Sequence, residues 1–168
     1  YSLISYQTAY LKALYPREFT AALLSFETSD PDKFSYYLHK TKELDIKVKA
    51  PDINRSEMPF SAHDDGILFG LKGIKSVGET AIKNILEERE KEGSYKDLYE
   101  FCKRVDLRTS NKRVIENLIA AGAMDPLPGN RAQKSAELEK IMSQANDEKE
   151  REKTGQMGLF LVGGGAND

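Results

Sequence analysis

The sequence predicts a mainly α-helical protein in which one small β element sits between two helical parts. Three observations carry that prediction. Apolar residues recur at helical spacing along most of the 168 residues. Short connections bearing Pro, Gly, Asp or Ser separate the periodic stretches. Only between residues 46 and 69 does the pattern change, to alternation followed by a hairpin signal.

Residues 1–15 read as a helix with Leu3, Tyr6, Tyr10 and Leu14 on one side. The chain starts inside this pattern without an N-cap, which leads us to expect a piece of something longer. Pro16 can open the next helix, because its missing N–H costs nothing in a first turn. Phe19, Ala22, Leu23 and Phe26 are its expected buried stripe. Asp30-Pro31 is an N-cap followed by a first-turn proline, and Phe34, Tyr37, Leu38 and Thr41 then line one face.

Ile46-Lys47-Val48-Lys49 alternates apolar and charged residues, as a short edge strand would. Met58 to Ala62 and Ile67 to Phe69 flank His63-Asp64-Asp65-Gly66, and Asp-Gly between such runs signals a hairpin. His39 and His63 lie far apart, without the clustered donors a metal site requires.

The stretch from Phe69 to Ile82 organises the remainder. It reads as a helical turn, a tight hairpin at Lys75 to Gly78, and a longer helix with Ala81, Ile82, Ile85 and Leu86 on its apolar face. Gly78 is expected to let the backbone turn sharply at the helix start. Unpaired N–H groups at a helix N-terminus favour an anion, and Lys75 and Lys83 flank this corner. The hairpin therefore suits one phosphate of a nucleic-acid backbone, and it equally fits an ordinary αα corner. Gly93 ends the helix.

Leu98, Phe101, Cys102 and Val105 mark another helix. Leu107 to Asn111 form a connection in which Ser110 or Asn111 can cap, and Val114, Ile115, Leu118 and Ile119 line a helix that stops at Gly122. Helix, short connection, helix has occurred twice, the second time without a glycine in the connection. Arg108, Lys112 and Arg113 beside that second helix would suit a phosphate, or form a solvated face. After a linker at 126–129, residues 131–150 form a helix with a thin stripe of Leu138, Ile141, Met142 and Ala145. Asp147 to Lys153 is almost wholly charged and is expected to be solvated. Gly155 to Val162, before a glycine run, suits a short motif that orders on docking into a partner, or a tail that packs back on its own domain.

Composition narrows the classes. The formal net charge is −2, so global electrostatics does not announce a nucleic-acid binder. Residues 70–122 carry eleven Lys or Arg against nine Asp or Glu, a local +2. A single cysteine, Cys102, excludes an internal disulfide framework and fits a reducing compartment. Its apolar surroundings point to a buried structural thiol. No apolar run is long enough for a membrane span and no signal-peptide pattern is present, so a cytoplasmic protein without membrane contact is expected.

Three stretches carry a family resemblance. Leu3 to Ala13 with Tyr15-Pro16-Arg17-Glu18-Phe19 is one. Pro51 to Ser56 with Phe69 to Gly78 is the second. Val105-Asp106, Asn111 to Val114 and Ala121 to Asp125 form the third. Together they resemble the alpha subunits of bacterial DNA polymerase III, the C-family replicative polymerases, over about residues 1–127.

The resemblance implies residues 1–50 as the C-terminal part of a fingers domain and 51–69 as a β connector. Residues 70–125 would be a tandem helix-hairpin-helix module, a SAM/HhH-like bundle, followed by a linker and helix at 126–155. It further implies that the module holds the sugar-phosphate backbone of duplex DNA. The contacts would be N–H groups of Ser76, Val77 and Gly78, aided by Lys75, Lys83, Arg108, Lys112 and Arg113. One departure stands out: many such hairpins carry two glycines, and Ser76 replaces the first. Within residues 156–168, Gln156-Met157-Gly158-Leu159-Phe160 resembles the pentapeptide that binds the ring-shaped sliding clamp, the beta subunit. Gln156 would bond at a pocket rim, and Met157, Leu159 and Phe160 complete the motif. The rest of the polymerase III holoenzyme is the implied wider partner.

The family's metal-holding palm carboxylates have no counterpart in this sequence. No cofactor is expected for it, magnesium belonging to the palm, and the chain itself should not polymerise. Two other classes stand beside a binding module: a scaffold whose hairpins only pack against neighbouring domains, and an independent enzyme such as a nuclease. The latter lacks the clustered carboxylates or histidines it would need.

Overall fold

The computed structural model describes the backbone of residues 1–163 and the side chains through Gln156. Its elements follow the expected order: α1 (Ser2–Leu14), α2 (Pro16–Phe26), α3 (Pro31–Glu43), β1 (Val48–Lys49), β2 (Ser61–His63), β3 (Gly66–Leu68), α4 (Glu79–Glu92), α5 (Leu98–Arg104), α6 (Lys112–Ala120) and α7 (Arg131–Gly163). The protein is mainly α-helical, with one three-stranded sheet. Among the described residues no helix is long and apolar enough to cross a membrane.

Two apolar clusters hold the chain together. The smaller joins α2 and α3 to the sheet through Ala21, Leu24, Phe60 and Ile67, with Phe34, Tyr37, Leu38 and Val48 packed around them. Phe34, Phe60 and Phe69 form its aromatic centre, the last two with ring centroids 4.5 Å apart. The sheet has the order β1-β3-β2, with β1 parallel and β2 antiparallel to the buried β3. Asp64 and Asp65 form the expected turn. Gly66 follows at φ +139°, where a Cβ would lie 2.3 Å from the Lys47 carbonyl oxygen, so only glycine fits. The Arg17 guanidinium donates to the His63 and Asp64 carbonyls, fastening α2 to this turn.

Two expectations for the N-terminal helices fail. The buried face of α2 is Thr20, Ala21 and Leu24, while Ala22 and Phe26 are exposed. The reason is steric: the small side chains Thr20 and Ala21 allow close approach to the sheet, and Ser25 Oγ accepts the Phe60 N–H at 2.8 Å. On α1, Leu3, Tyr6, Tyr10 and Leu14 are all exposed, and the helix buries no residue. In α3 the reading holds: Asp30 caps the helix and Thr41 is buried on the face that carries Phe34 and Leu38.

The larger cluster unites α4 to α7. Ile82, Ile85, Phe101, Cys102, Ile115, Leu118, Ile119 and Leu138 are fully buried there, with Ile53 entering from the connector. The helical periods around Ala81, Leu98 and Val114 fall on the core as expected. The Ile53 N–H donates to the Ala123 carbonyl at 2.8 Å. Arg89 on α4 donates to the carbonyls of Ile53 and Ser56, at 3.1 and 2.8 Å, and pairs with Glu57.

Helix α7 is longer than the expected 131–150 and is part of this core. Lys134, on its first turns, is buried and donates to the carbonyls of Met124 and Leu127, at 2.6 and 2.8 Å. Both carbonyls lie in the connection between α6 and α7, so this one side chain ties the start of α7 to it. The charged run Asp147 to Lys153 is not simply solvated. Lys103 of α5 pairs with Glu148 at 2.9 Å and Glu152 at 2.8 Å, Tyr99 donates to Glu148, and Lys149 donates to the Val105 carbonyl. Helix α7 continues through Gly163, and residues 164–168 lie outside the described residues.

Candidate nucleic-acid interface

The first hairpin is built from a helical turn at Leu71–Gly73 and the start of α4. Ile74 and Val77 are buried and act as its anchors, and the Val77 N–H donates to the Ile74 carbonyl at 3.3 Å. That leaves Lys75, Ser76 and Gly78 on the outside. The tight step falls at Ser76, which adopts φ +64° in the left-handed region. Gly78, expected to make the sharp turn, has an ordinary φ of −78°. Ser76 therefore occupies the conformation for which glycine is the usual choice, at a steric cost of about 1–2 kcal/mol.

Gly78 is the N-cap of α4 and gives that helix no side-chain cap. The contrast with its neighbours is sharp: Asp97 caps α5 and Asn111 caps α6, each accepting a first-turn N–H. A Cβ on Gly78 would meet nothing within 4 Å. Neither backbone conformation nor packing inside this chain requires a glycine there. What the missing Cβ does provide is open access to the N-terminal N–H groups of α4. Glu79, beside them, pairs with Lys72 at 3.1 Å, and that hydrogen bond holds its carboxyl below the ordinary range. Lys75 and Lys83 are exposed, with no carboxylate within 4 Å among the described residues.

The second hairpin, between α5 and α6, is organised by Asp106. Its carboxylate accepts the Arg108 N–H at 3.0 Å and both Nε and Nη2 of the Arg108 side chain, which lowers its pKa. Its carbonyl accepts the N–H groups of Thr109 and Ser110. Asn111, rather than Ser110, is the cap. Lys112 pairs with Glu139 of α7 at 3.1 Å, whereas Arg113 is exposed and unpaired among the described residues.

Asn84 joins the two hairpins: its Oδ1 accepts the Asp106 N–H at 2.7 Å. The expected residues therefore fall on two linked hairpins, but two of the three cations on the second are engaged by acidic partners. Gln156 is exposed on α7. The side chains of Met157, Leu159 and Phe160 lie outside the described residues. Among the described residues no group of three or more His, Cys, Asp or Glu could hold a metal ion.

Sequence reading missed Asn84, Glu139 and Lys134. Asn84 sits among α4 positions where the apolar period gives no cue, and Glu139 meets a lysine 27 positions away. Lys134 reads as an ordinary exposed lysine in a polar stretch.

A family model described as the helix-hairpin-helix motif matches residues 45–134. The chain is 49% identical over 160 residues to the DNA polymerase III subunit alpha of Thermus aquaticus, covering 95% of this chain and 13% of that protein. It is 44% identical to the subunit of Borreliella burgdorferi and 42% identical to that of Vibrio cholerae, spanning 14% of each.

Proposed function

Because the chain belongs to the helix-hairpin-helix family and is homologous along 95% of its length to a segment of DNA polymerase III alpha subunits, we propose that it holds duplex DNA during replication. The hold is on the sugar-phosphate backbone and does not read sequence, since phosphate contacts position a protein without specifying bases. The observation that carries this reading is Gly78, an N-cap glycine that neither its φ nor its packing requires and that leaves the α4 N-terminus open. A phosphate would accept from the N–H groups of Ser76, Gly78 and the first turn of α4, the expected Val77 N–H being turned inward to the Ile74 carbonyl, with Lys75 and Lys83 adding charge. Lys112, Arg113 and Arg108 serve a second phosphate.

The same proposal extends to the far end of α7. Gln156, Met157, Leu159 and Phe160 would engage a ring-shaped sliding clamp, which is how a short apolar motif with one polar handle adds processivity. The chain acts within a larger cytoplasmic polymerase assembly. It needs no cofactor of its own and performs no nucleotidyl transfer itself. Residues 1–50 belong to the fingers in this reading.

Titration of labelled duplex DNA at low and moderate salt, beside a Lys75→Glu/Lys112→Glu variant, tests the grip. Steep salt dependence and loss of binding in the variant are expected. A scaffold role, favoured by the engagement of Arg108 and Lys112 with carboxylates, predicts no salt-dependent affinity. For the clamp, Leu159→Ala/Phe160→Ala is expected to abolish binding with the fold intact, and unchanged affinity removes α7's end from the account.

A further inference from the structure

The basic residues of the two hairpins divide into those held by a carboxylate and those left open. Lys72 is held by Glu79, Arg108 by Asp106 and Lys112 by Glu139, while Lys75, Lys83 and Arg113 have no such partner among the described residues. Two of the three carboxylates have structural work. Glu79 lies in the first turn of α4, where negative charge suits the helix dipole. Asp106 organises its own loop through the N–H of Arg108. Glu139 has no comparable task. It stands on the solvent side of α7, its side chain is 83% exposed, and among the described residues its one polar partner is Lys112.

We propose that Glu139 is an internal competitor for phosphate, occupying Lys112 so that the second hairpin grips DNA more weakly than its cations allow. This inference rests on the reading of the hairpins as a backbone grip. The Glu139 carboxylate offers the Lys112 ammonium the same chemistry as a phosphate oxygen: an anionic acceptor at charge-assisted hydrogen-bond distance. The pair is exposed, so it is weak and a phosphate can displace it. Once displaced, Glu139 remains beside the DNA as an uncompensated negative charge. Lys112 therefore contributes little net charge toward the duplex while Glu139 is present. Helix α7 cannot swing this carboxylate away easily, because Lys134, Leu138 and Ala145 are buried on its other side. The attenuation is a fixed setting of the grip, suited to a duplex that must slide past it.

The test uses the full chain and a fluorescein-labelled duplex of arbitrary sequence, with binding followed by anisotropy at 50 and 150 mM salt as rough working points on a log–log salt plot. Glu139→Gln preserves helix propensity and size. It is expected to tighten binding about three- to fivefold at the lower salt and to steepen the log–log salt slope by about 0.9, the signature of one more neutralised phosphate. In a Lys112→Ala background the same substitution should give no gain. Glu137→Gln, which makes the same change in net charge on an exposed α7 position, should also give none. Equal affinity of wild type and Glu139→Gln overturns the inference alone, as does a gain that persists without Lys112 or is matched by Glu137→Gln. No binding by either protein at low salt overturns the grip reading and this inference with it.

Discussion

Asn54 and Tyr95 bond to each other twice: the Tyr95 N–H donates to Asn54 Oδ1 at 2.8 Å, and Asn54 Nδ2 donates to the Tyr95 carbonyl at 3.0 Å. The side-chain amide thus satisfies both backbone groups of a buried residue 41 positions away. Tyr95 in turn stacks under the Arg104 guanidinium and donates its hydroxyl to the Ile85 carbonyl. The connector is locked to the hairpin module at this point. Asn54→Ala strips both partners from a buried peptide, so we expect a loss of about 1–3 kcal/mol in chemical denaturation. Loss of well under that range would mean that water replaces the amide.

Ser76 and Gly78 separate the needs of the fold from the needs of a ligand. Ser76→Gly removes the strain at φ +64°, less the greater backbone entropy of an unfolded glycine, and is expected to stabilise the chain by about 0.5–1 kcal/mol. Thermal melting would register this as a rise of a few degrees.

Gly78→Ala should cost about 1 kcal/mol at most, the loss expected when an N-cap glycine becomes alanine, since φ is ordinary and the space is empty. On the proposed reading it nevertheless weakens duplex binding several-fold, because the new methyl stands where a phosphate approaches. A stable Gly78→Ala chain with unaltered affinity would remove the first hairpin from the DNA contact.

Lys134 is a buried amine held below the ordinary lysine range by desolvation. Lys134→Met leaves the Leu127 carbonyl without its donor and the Met124 carbonyl with the Leu127 N–H alone, and should cost about 1–3 kcal/mol near neutral pH. The pH dependence has a definite sign. A lysine whose folded pKa is depressed binds fewer protons folded than unfolded, so its presence becomes more favourable as pH rises from that folded value toward the ordinary 10.5. Denaturation of both proteins across this window should show the gap between them widening with pH.

Cys102 is fully buried in the larger core, and burial pushes its thiol up to about 12. The thiolate is the reacting species, so folded protein should resist thiol reagents near pH 8. Labelling is expected only as denaturant unfolds the core. Rapid modification of the folded chain would contradict this placement.

Much of this architecture is legible because apolar periodicity records burial directly. The faces of α4, α5 and α6 carry apolar residues at every buried position, so period and burial coincide. On α2 they diverge. Phe19 and Phe26 look like the core face, but close approach to the sheet demands the small Thr20 and Ala21 instead. The hairpin at Ser76 is legible as a turn, but not the identity of its strained residue, because glycine at 78 is the stronger local signal. Ion pairs such as Lys112 with Glu139 leave no periodic trace. Polar partners across the fold are the part that only packing reveals.

Helix α1 buries no residue and rests mainly along α2. Thirteen residues are too few for a helix to persist by its own backbone bonds, since isolated helices shorter than about 12–15 residues are marginal in water. Its amides should therefore exchange with deuterium through local fraying that leaves the rest of the fold closed. Those of α6, anchored by four buried side chains, should exchange only when the whole core opens. Protection against exchange will thus rise along the chain, from an N-terminal helix that opens freely to a helix that reports global unfolding.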